Sequence, residues 1–339
     1  MLLISRIIQA TGASMTMATN YGIITENFPP DMRGRSLGVL GSFVSLGSIA
    51  GPGIGGIIIQ RYTWHYIFLI NIPIGIFAFI LGYFVFPKSK KRDIPLKLDY
   101  LGFILFDICI ISLFMGIFIG QVIGFNKLSI IMLFLMALCS FIGFIFQEKR
   151  SNNPLIDLTI FNNKSFSVGL TCAVLIFSSN LFMNTLLPFY LQDTLKLSSL
   201  LSGFILMCVP IAMVVVAPIS GALSDKMGAE GLTFTGLLIV SISQLLFIFI
   251  GLKTTMAYLI FLTLLAGIGV ALFQSPNNSI IMSSVEHNHL GIVGSINSLA
   301  RNIGMVTGLS LSTTILYSSM TQKAGYKVTN YIEGRDDLF

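Results

Sequence analysis

The sequence predicts an all-α polytopic membrane protein, on three observations: its overall apolarity, the length of its apolar runs and the places where its charges fall. Of 339 residues, 54% are apolar and only 10% charged, with a mean hydropathy of +0.87, far outside the composition of a soluble domain. A bilayer core roughly 30 Å thick demands about 20 mostly apolar residues per helix, because every backbone N–H and C=O must be satisfied within its own segment. Ten stretches meet that demand, at about 2–24, 36–59, 65–87, 99–123, 128–147, 166–191, 198–222, 231–252, 256–284 and 290–318. The short alternating strands of a membrane barrel are not seen in the sequence.

The charges orient these spans. With the loop at 25–35 taken as cytoplasmic, that side collects Arg33, Arg35, Lys88, Lys90, Lys91, Arg92, Lys97, Lys149, Arg150, Lys164 and Lys226. The opposite short loops hold only Arg61, Lys127, Lys196 and Lys253, the asymmetry of the positive-inside rule. Lys323, Lys327 and Arg335 in the outside tail do not overturn it. The net charge of +6 therefore reflects topology and not a nucleic-acid face. The expected location is a bacterial cytoplasmic membrane, with the lipid bilayer as partner and a monomeric protein in it. Cys109, Cys139, Cys172 and Cys208 all fall inside spans at wide spacing. Neither a disulfide framework nor a zinc site is indicated, and they read as buried small apolar residues.

An internal repeat organises the chain. A shift of 253 residues matches Gly38, Gly41, Ser42, Gly51 and Gly55 with Gly291, Gly294, Ser295, Gly304 and Gly308. A shift of 257 matches Gly12, Asn20, Ile23 and Ile24 with Gly269, Asn277, Ile280 and Ile281. Eight spans separate each pair, an even number, so the copies run the same way through the membrane. If the unit is a six-helix bundle, two helices are inserted between the halves, and residues 99–147 fit that place.

Several residues have a physical reason to matter. Gly47, Gly51 and Gly55 recur every fourth residue after Gly38 and line one helix face, where another backbone is expected to approach closely. Pro52 beside them removes a hydrogen bond and invites a kink. Arg6 is costly in lipid and should face a cavity or a carboxylate, interfacial snorkelling being the bland alternative. Asp107 is the one acid well inside a span and a candidate proton carrier, though it lies in the inserted pair. Asp225, within the polar turn Ser224-Asp225-Lys226-Met227-Gly228, is placed to latch the cytoplasmic side through a cation or a helix N-terminus. Asn180 and Asn184 share a helix face with Phe177 and Leu181 nearby and suit a drug cavity, although interhelical hydrogen bonding explains them equally well. Gly51–Gly56 lacks the preceding strand and following Lys-Ser of a phosphate loop. His65, His287 and His289 show no metal-ligand spacing, and no nucleophile has a matching His and acid. No enzyme, metal or cofactor is expected.

The run from Gly38 through Gly47, Gly51, Pro52, Gly55 and Gly56 resembles the antiporter signature of the fourteen-span drug/proton antiporter family of the major facilitator superfamily. Trp64-His65-Tyr66 through Asn71, Pro73 and Gly75 is similar to the signature opening that family's sixth span. Arg6, Gln9 and Gly12 resemble its fourth-span motif, with Ala10 where glycine is usual, and the resemblance implies that Arg6 and Gln9 take part in proton relay. Gly221, Asp225, Lys226 and Gly228 look like the superfamily's cytoplasmic loop signature, with Glu230 near the place of a following basic residue. Arg301, flanked by Asn297, Asn302 and Gly304, resembles a late-span pattern of the same family and is grouped with Gly221, Asp225, Lys226 and Gly228 as the cytoplasmic gate, while a structural role pairing carbonyls near the cytoplasmic surface is equally open.

The resemblance implies the major facilitator fold, two pseudo-symmetric bundles with an inserted helix pair. Residues 1–87 would then be spans 4 to 6 of the first bundle and 88–150 the inserted pair. Residues 151–318 would be the first five spans of the second bundle, and 319–339 an extracytoplasmic tail. On this count three spans would precede residue 1 and one would follow residue 339. The implied activity is export of lipophilic drugs, often cationic or zwitterionic, with the proton as coupling ion. One proton moving through 100 mV supplies about 2.3 kcal/mol, enough for roughly a fifty-fold gradient of a neutral solute. An exporter of another solute (a tetracycline, sugar or siderophore), or a transport-inactive membrane fragment, is the alternative.

Overall fold

A computed structural model describes residues 2–63, 65–85, 99–151, 154–285 and 290–324. Trp64, Lys88, Lys90, Lys91, Arg92, Lys97, His287, His289, Lys327 and Arg335 lie outside the described residues, as does most of the 319–339 tail. The described chain is helical, without a strand. Its α-helices are α1 (Leu2–Asn27), α2 (Arg33–Arg61), α3 (Tyr66–Leu69), α4 (Asn71–Val85), α5 (Tyr100–Ile123), α6 (Leu128–Arg150), α7 (Lys164–Phe189), α8 (Ser199–Met227), α9 (Ala229–Leu246), α10 (Met256–Ser283) and α11 (Leu290–Ala324). A helix, or for the third place the pair α3 and α4, covers each of the ten expected spans. The last differs most: α11 runs to Ala324 because Ser318-Ser319-Met320-Thr321-Gln322-Lys323 holds no helix breaker.

Seven of the described segments are long and apolar enough to cross a membrane. The other three, α1, α2 and α11, are as long but exchange aliphatic bulk for glycine, serine, threonine and arginine. Polarity is distributed inside out. Tyr66–Val85 buries none of its apolar window, and Phe77, Phe79 and Phe84 stand exposed. Ser275, Asn277, Asn278, Asn297, Ser298 and Arg301 are buried among α10, α11 and their neighbours. In water this arrangement would be unstable; in lipid the apolar exterior is solvated and the polar groups find partners inside. The cysteines follow the same rule: Cys109 is buried, but Cys139 is exposed and Cys172 and Cys208 are half-buried. The expectation of four buried thiols fails because lying within a span does not imply lying against protein.

The packing is that of long helices joined by close backbone approach. α7 packs on α11, and α8 and α9 pack on α10, while α5 and α6 form a hairpin. The contacts that cross from the first helices to the last include α2 against α8 and α10, and α1 against α11. In the first, a Cβ on Gly38 would strike the Ala217 carbonyl and come within 3.0 Å of Pro218 Cα, and the Ser42 hydroxyl donates to the Val214 carbonyl at 3.0 Å. Gly47, Gly51 and Gly55 behave differently from expectation. No described atom lies within 4 Å of a Cβ built on any of them, so the close backbone approach to α8 is made by Gly34 and Gly38 and not by these three. The repeat partners of Gly51 and Gly55, Gly304 and Gly308, are tightly packed against Val174 and Ser178 of α7.

The inserted hairpin is pinned at one end. Asp99 caps α5 by accepting from Gly102 N–H at 2.8 Å, and Gln147 of α6 donates to both its oxygens. The Gly102 N–H, helped by Gln147 and Ser151, holds the Asp99 carboxyl below the usual aspartate range. A carboxylate with a lowered folded pKa stabilises fully above its unfolded value, about 3.9, and loses that contribution as pH falls through the folded value. The melting temperature of Asp99→Ala should therefore lie below wild type at neutral pH, with the gap closing below about pH 4.

The glycine contacts make a second expectation. Gly38→Leu overpacks the α2–α8 seam and should cost about 1–3 kcal/mol, read as a lower melting temperature in detergent. Gly51→Leu, pointing into open space, should leave the melting temperature within a degree or two of wild type.

Candidate functional site

The residues with most chemistry gather where α2 begins and α8 ends, at the side the loop charges assign to the cytoplasm. A helix N-terminus leaves backbone N–H groups without intrahelical acceptors and carries partial positive charge. Asp225, in the last turn of α8, supplies both oxygens to that end of α2: Oδ1 accepts from Gly34 N–H and Oδ2 from Arg35 N–H, each at 2.8 Å. The approach requires two glycines. A Cβ on Gly221 would strike the Gly34 carbonyl, and a Cβ on Gly34 would strike Ser224 and Asp225. The Gly34 carbonyl also accepts from Ser275 Oγ of α10 at 2.8 Å, so three helices meet at one residue.

The rest of the Gly221–Gly228 motif serves the same corner. Lys226 is exposed in the last turn of α8, where a cation complements the helix C-terminus. Gly228 has φ +90°, a left-handed conformation that ends α8 and starts α9 and that a side chain would strain. Beside the latch lies a cavity of about 550 Å³, reached by Pro30, Asp225, Glu230 and Ser283. Arg301, grouped with this latch from sequence, takes its partners elsewhere: Nη1 donates to the Tyr21 hydroxyl at 3.2 Å and Nη2 to Met17 Sδ at 3.3 Å, both on α1. The Phe177 ring of α7 lies 5.6 Å from its Cζ. The carbonyls expected for it near the cytoplasmic surface are not its partners, because the side chain reaches across to α1.

Arg6 and Gln9 are neighbours on α1, with Arg6 Nη1 donating to Gln9 Oε1 at 3.0 Å on an exposed face. The Arg6 guanidinium also lies over the Phe68 ring of α3, 4.6 Å from its centroid. Asp107 is not brought to this pair; it is half-buried on α5, whose contacts are with α6 and α11. Asn180 and Asn184 share their face as expected and bond to each other, Asn184 Nδ2 donating to Asn180 Oδ1 at 2.9 Å.

The sequence profile of the Major Facilitator Superfamily matches residues 1–309. This chain belongs to that superfamily. Among its relatives, riboflavin transporter RibZ of Clostridioides difficile is 33% identical over 328 residues, covering 96% of this chain and 70% of RibZ. Multidrug resistance protein 3 of Bacillus subtilis is 28% identical over 325 residues, 95% of this chain and 63% of that protein. Multidrug resistance protein Stp of Mycobacterium tuberculosis is 26% identical over 309 residues, 91% of this chain and 57% of Stp. The chain thus spans less than two thirds of the length of most of these relatives. The family and its members' names mark a transporter and not an enzyme.

The contacts that sequence reasoning missed lie between helices. Tyr21 and Met17 hold Arg301 across 280 and 284 positions, and Asn297 donates to Asn278 at 2.9 Å. The adjacent Asn277 and Asn278 in an otherwise apolar span were a visible signal. Tyr21 carried none.

The latch has a direct readout. Asp225→Ala removes two charge-assisted hydrogen bonds from the start of α2, and amide exchange at Gly34 and Arg35 should quicken by about tenfold or more. Exchange at the middle of α10 should not change, and mass spectrometry of the corresponding peptides reads both.

Proposed function

We propose that the chain forms the core of a secondary active exporter of the fourteen-span drug/proton antiporter class, moving lipophilic small molecules out through the cytoplasmic membrane. The observation that carries the reading is the Asp225 latch. One carboxylate on α8 holds the start of α2 without a covalent or fully buried ionic link, so the contact can be made and broken as two helical bodies rock. The polar faces of α1, α10 and α11 within an apolar exterior supply the path such rocking would expose. Relatives named for multidrug resistance support the substrate class. In this reading Arg6 and Gln9 take part in proton relay. Gly38, Gly47, Gly51, Pro52, Gly55 and Gly56 form the antiporter element, and Asn180 and Asn184 face the drug.

A second reading has its own observation. The relative at 33% identity is named as a riboflavin transporter, so a planar, hydrogen-bonding solute is the alternative cargo. Both readings draw on an ion gradient.

In energised membrane vesicles containing the protein, norfloxacin should be moved against its gradient, and a protonophore should abolish that movement. Transport indifferent to the protonophore would remove proton coupling. Arg6→Ala should reduce transport to background while leaving the amount of inserted protein unchanged, which immunoblotting of the same vesicles checks.

A further inference from the structure

Arg301 is only 9% exposed, yet its charge has no acidic partner among the described residues. One turn before it on α11 lies Asn297, itself committed to Asn278. A buried guanidinium whose role is structural is usually surrounded by carbonyls or a carboxylate, since an uncompensated cation inside a low-dielectric medium is costly. Here the acceptors are a phenol at 3.2 Å and a thioether at 3.3 Å, and the Nε–H is buried with no acceptor among the described residues.

The unpartnered donor and the weakly partnered one are adjacent. In arginine, Nε–H and the Nη2–H beside it form one planar edge whose spacing matches the two oxygens of a carboxylate. Nε is unpartnered and Nη2 holds only the weak acceptor Met17 Sδ, while the opposite Nη1 is tied to Tyr21. Tyr21 and Phe177 present rings 6.0 and 5.6 Å from Cζ, so the guanidinium sits among surfaces that also suit an aromatic body. Met17 is 39% exposed, which leaves the thioether free to move aside.

We infer that Arg301, through its Nε–Nη2 edge and flanked by Tyr21 and Phe177, binds the carboxylate of an aromatic acid, and that solutes carried by this protein are anchored there by an acidic group. The inference rests on the export reading for its second half and narrows that reading's substrates to acids and zwitterions, not permanent cations. Lipid phosphate is the other source of such an anion. Arg301 lies eleven residues into α11, roughly 16 Å along the axis at 1.5 Å per residue, deeper than a headgroup sits, so the site favours a solute. Because α1 lies on one side of the anion and α7 and α11 on the other, a bound acid would bridge the early and late helices.

The test uses the full chain purified in detergent, with 2-naphthoate and its neutral counterpart 2-naphthamide as probes. Wild type should bind the acid at least about tenfold more tightly than the amide, as a charge-assisted bidentate pair requires. Arg301→Gln should erase that preference, and Arg301→Lys, which keeps the charge but not the fork, should retain only part of it. If Arg301→Gln does not yield a monodisperse protein, Arg301→Lys alone decides: an undiminished preference for the acid overturns the site. Equal binding of acid and amide by wild type overturns it as well, and so does displacement of naphthoate by a short-chain phosphatidate at equal concentration.

Transport separates this inference from the reading beneath it. Export of norfloxacin but not of its ethyl ester, weakened in Arg301→Lys, supports both. Naphthoate binding that depends on Arg301, without export of either drug, keeps the site and removes the drug-efflux reading. Export indifferent to esterification and to Arg301→Lys removes the site's role in transport and leaves efflux standing.

Discussion

Two backbones in contact, at Gly34 of α2 and Gly221 of α8, set the arrangement on which the rest depends. Without side chains at both positions the helices close to a distance at which a Cβ would overlap a carbonyl. Only then can the Asp225 carboxylate reach the free N–H groups at the start of α2. The interaction is of moderate strength, a carboxylate on a helix N-terminus, where favourable, partly buried geometries contribute up to about 2 kcal/mol from the dipole alone. That scale suits a contact that must hold one state and release another, since a much stronger clamp would favour a single conformation.

The same constraint explains the polarity of the interior. Helix association in lipid draws nothing from hydrophobic burial, so packing, small residues and internal hydrogen bonds must hold the helices together. Gly304 and Gly308 bring α11 onto the α7 backbone, and Ser298 donates to the Met17 carbonyl of α1 at 3.0 Å. On α1 the threonines turn back on their own helix, Thr11 to Ile7 and Thr16 to Gly12, and so remain satisfied on an exposed face. Arg301 is the departure. It is a buried cation with an acceptor-poor edge, and it stands at the junction of α1, α7 and α11.

The internal repeat is visible in sequence as matched glycines, but matched positions do not have matched surroundings. Gly51 and Gly55 meet no described atom where Gly304 and Gly308 meet α7, and Gly12 is open where Gly269 packs on Val240. Conversely, Gly38 is in hard contact with α8 and its counterpart Gly291 is not. Glycine spacing states that a close approach is sterically permitted; what comes close depends on which neighbour the topology delivers.

The sequence by itself determined the helical class and the place of each helix along the chain. These follow from the 30 Å apolar slab and from hydrogen bonds that close within four residues, both local constraints readable along the chain. It also located Asp225 near a helix terminus, because the polar turn at Ser224–Gly228 could not continue a span. Only the tertiary structure decided that the terminus capped is that of α2, 190 and 191 positions away, that Arg301 meets Tyr21 and not Asp225, and that Gly34 matters more to close approach than Gly47. Those outcomes depend on which helices lie side by side, and helix adjacency in a bundle is fixed by three-dimensional packing of faces, for which one-dimensional spacing carries no coordinate.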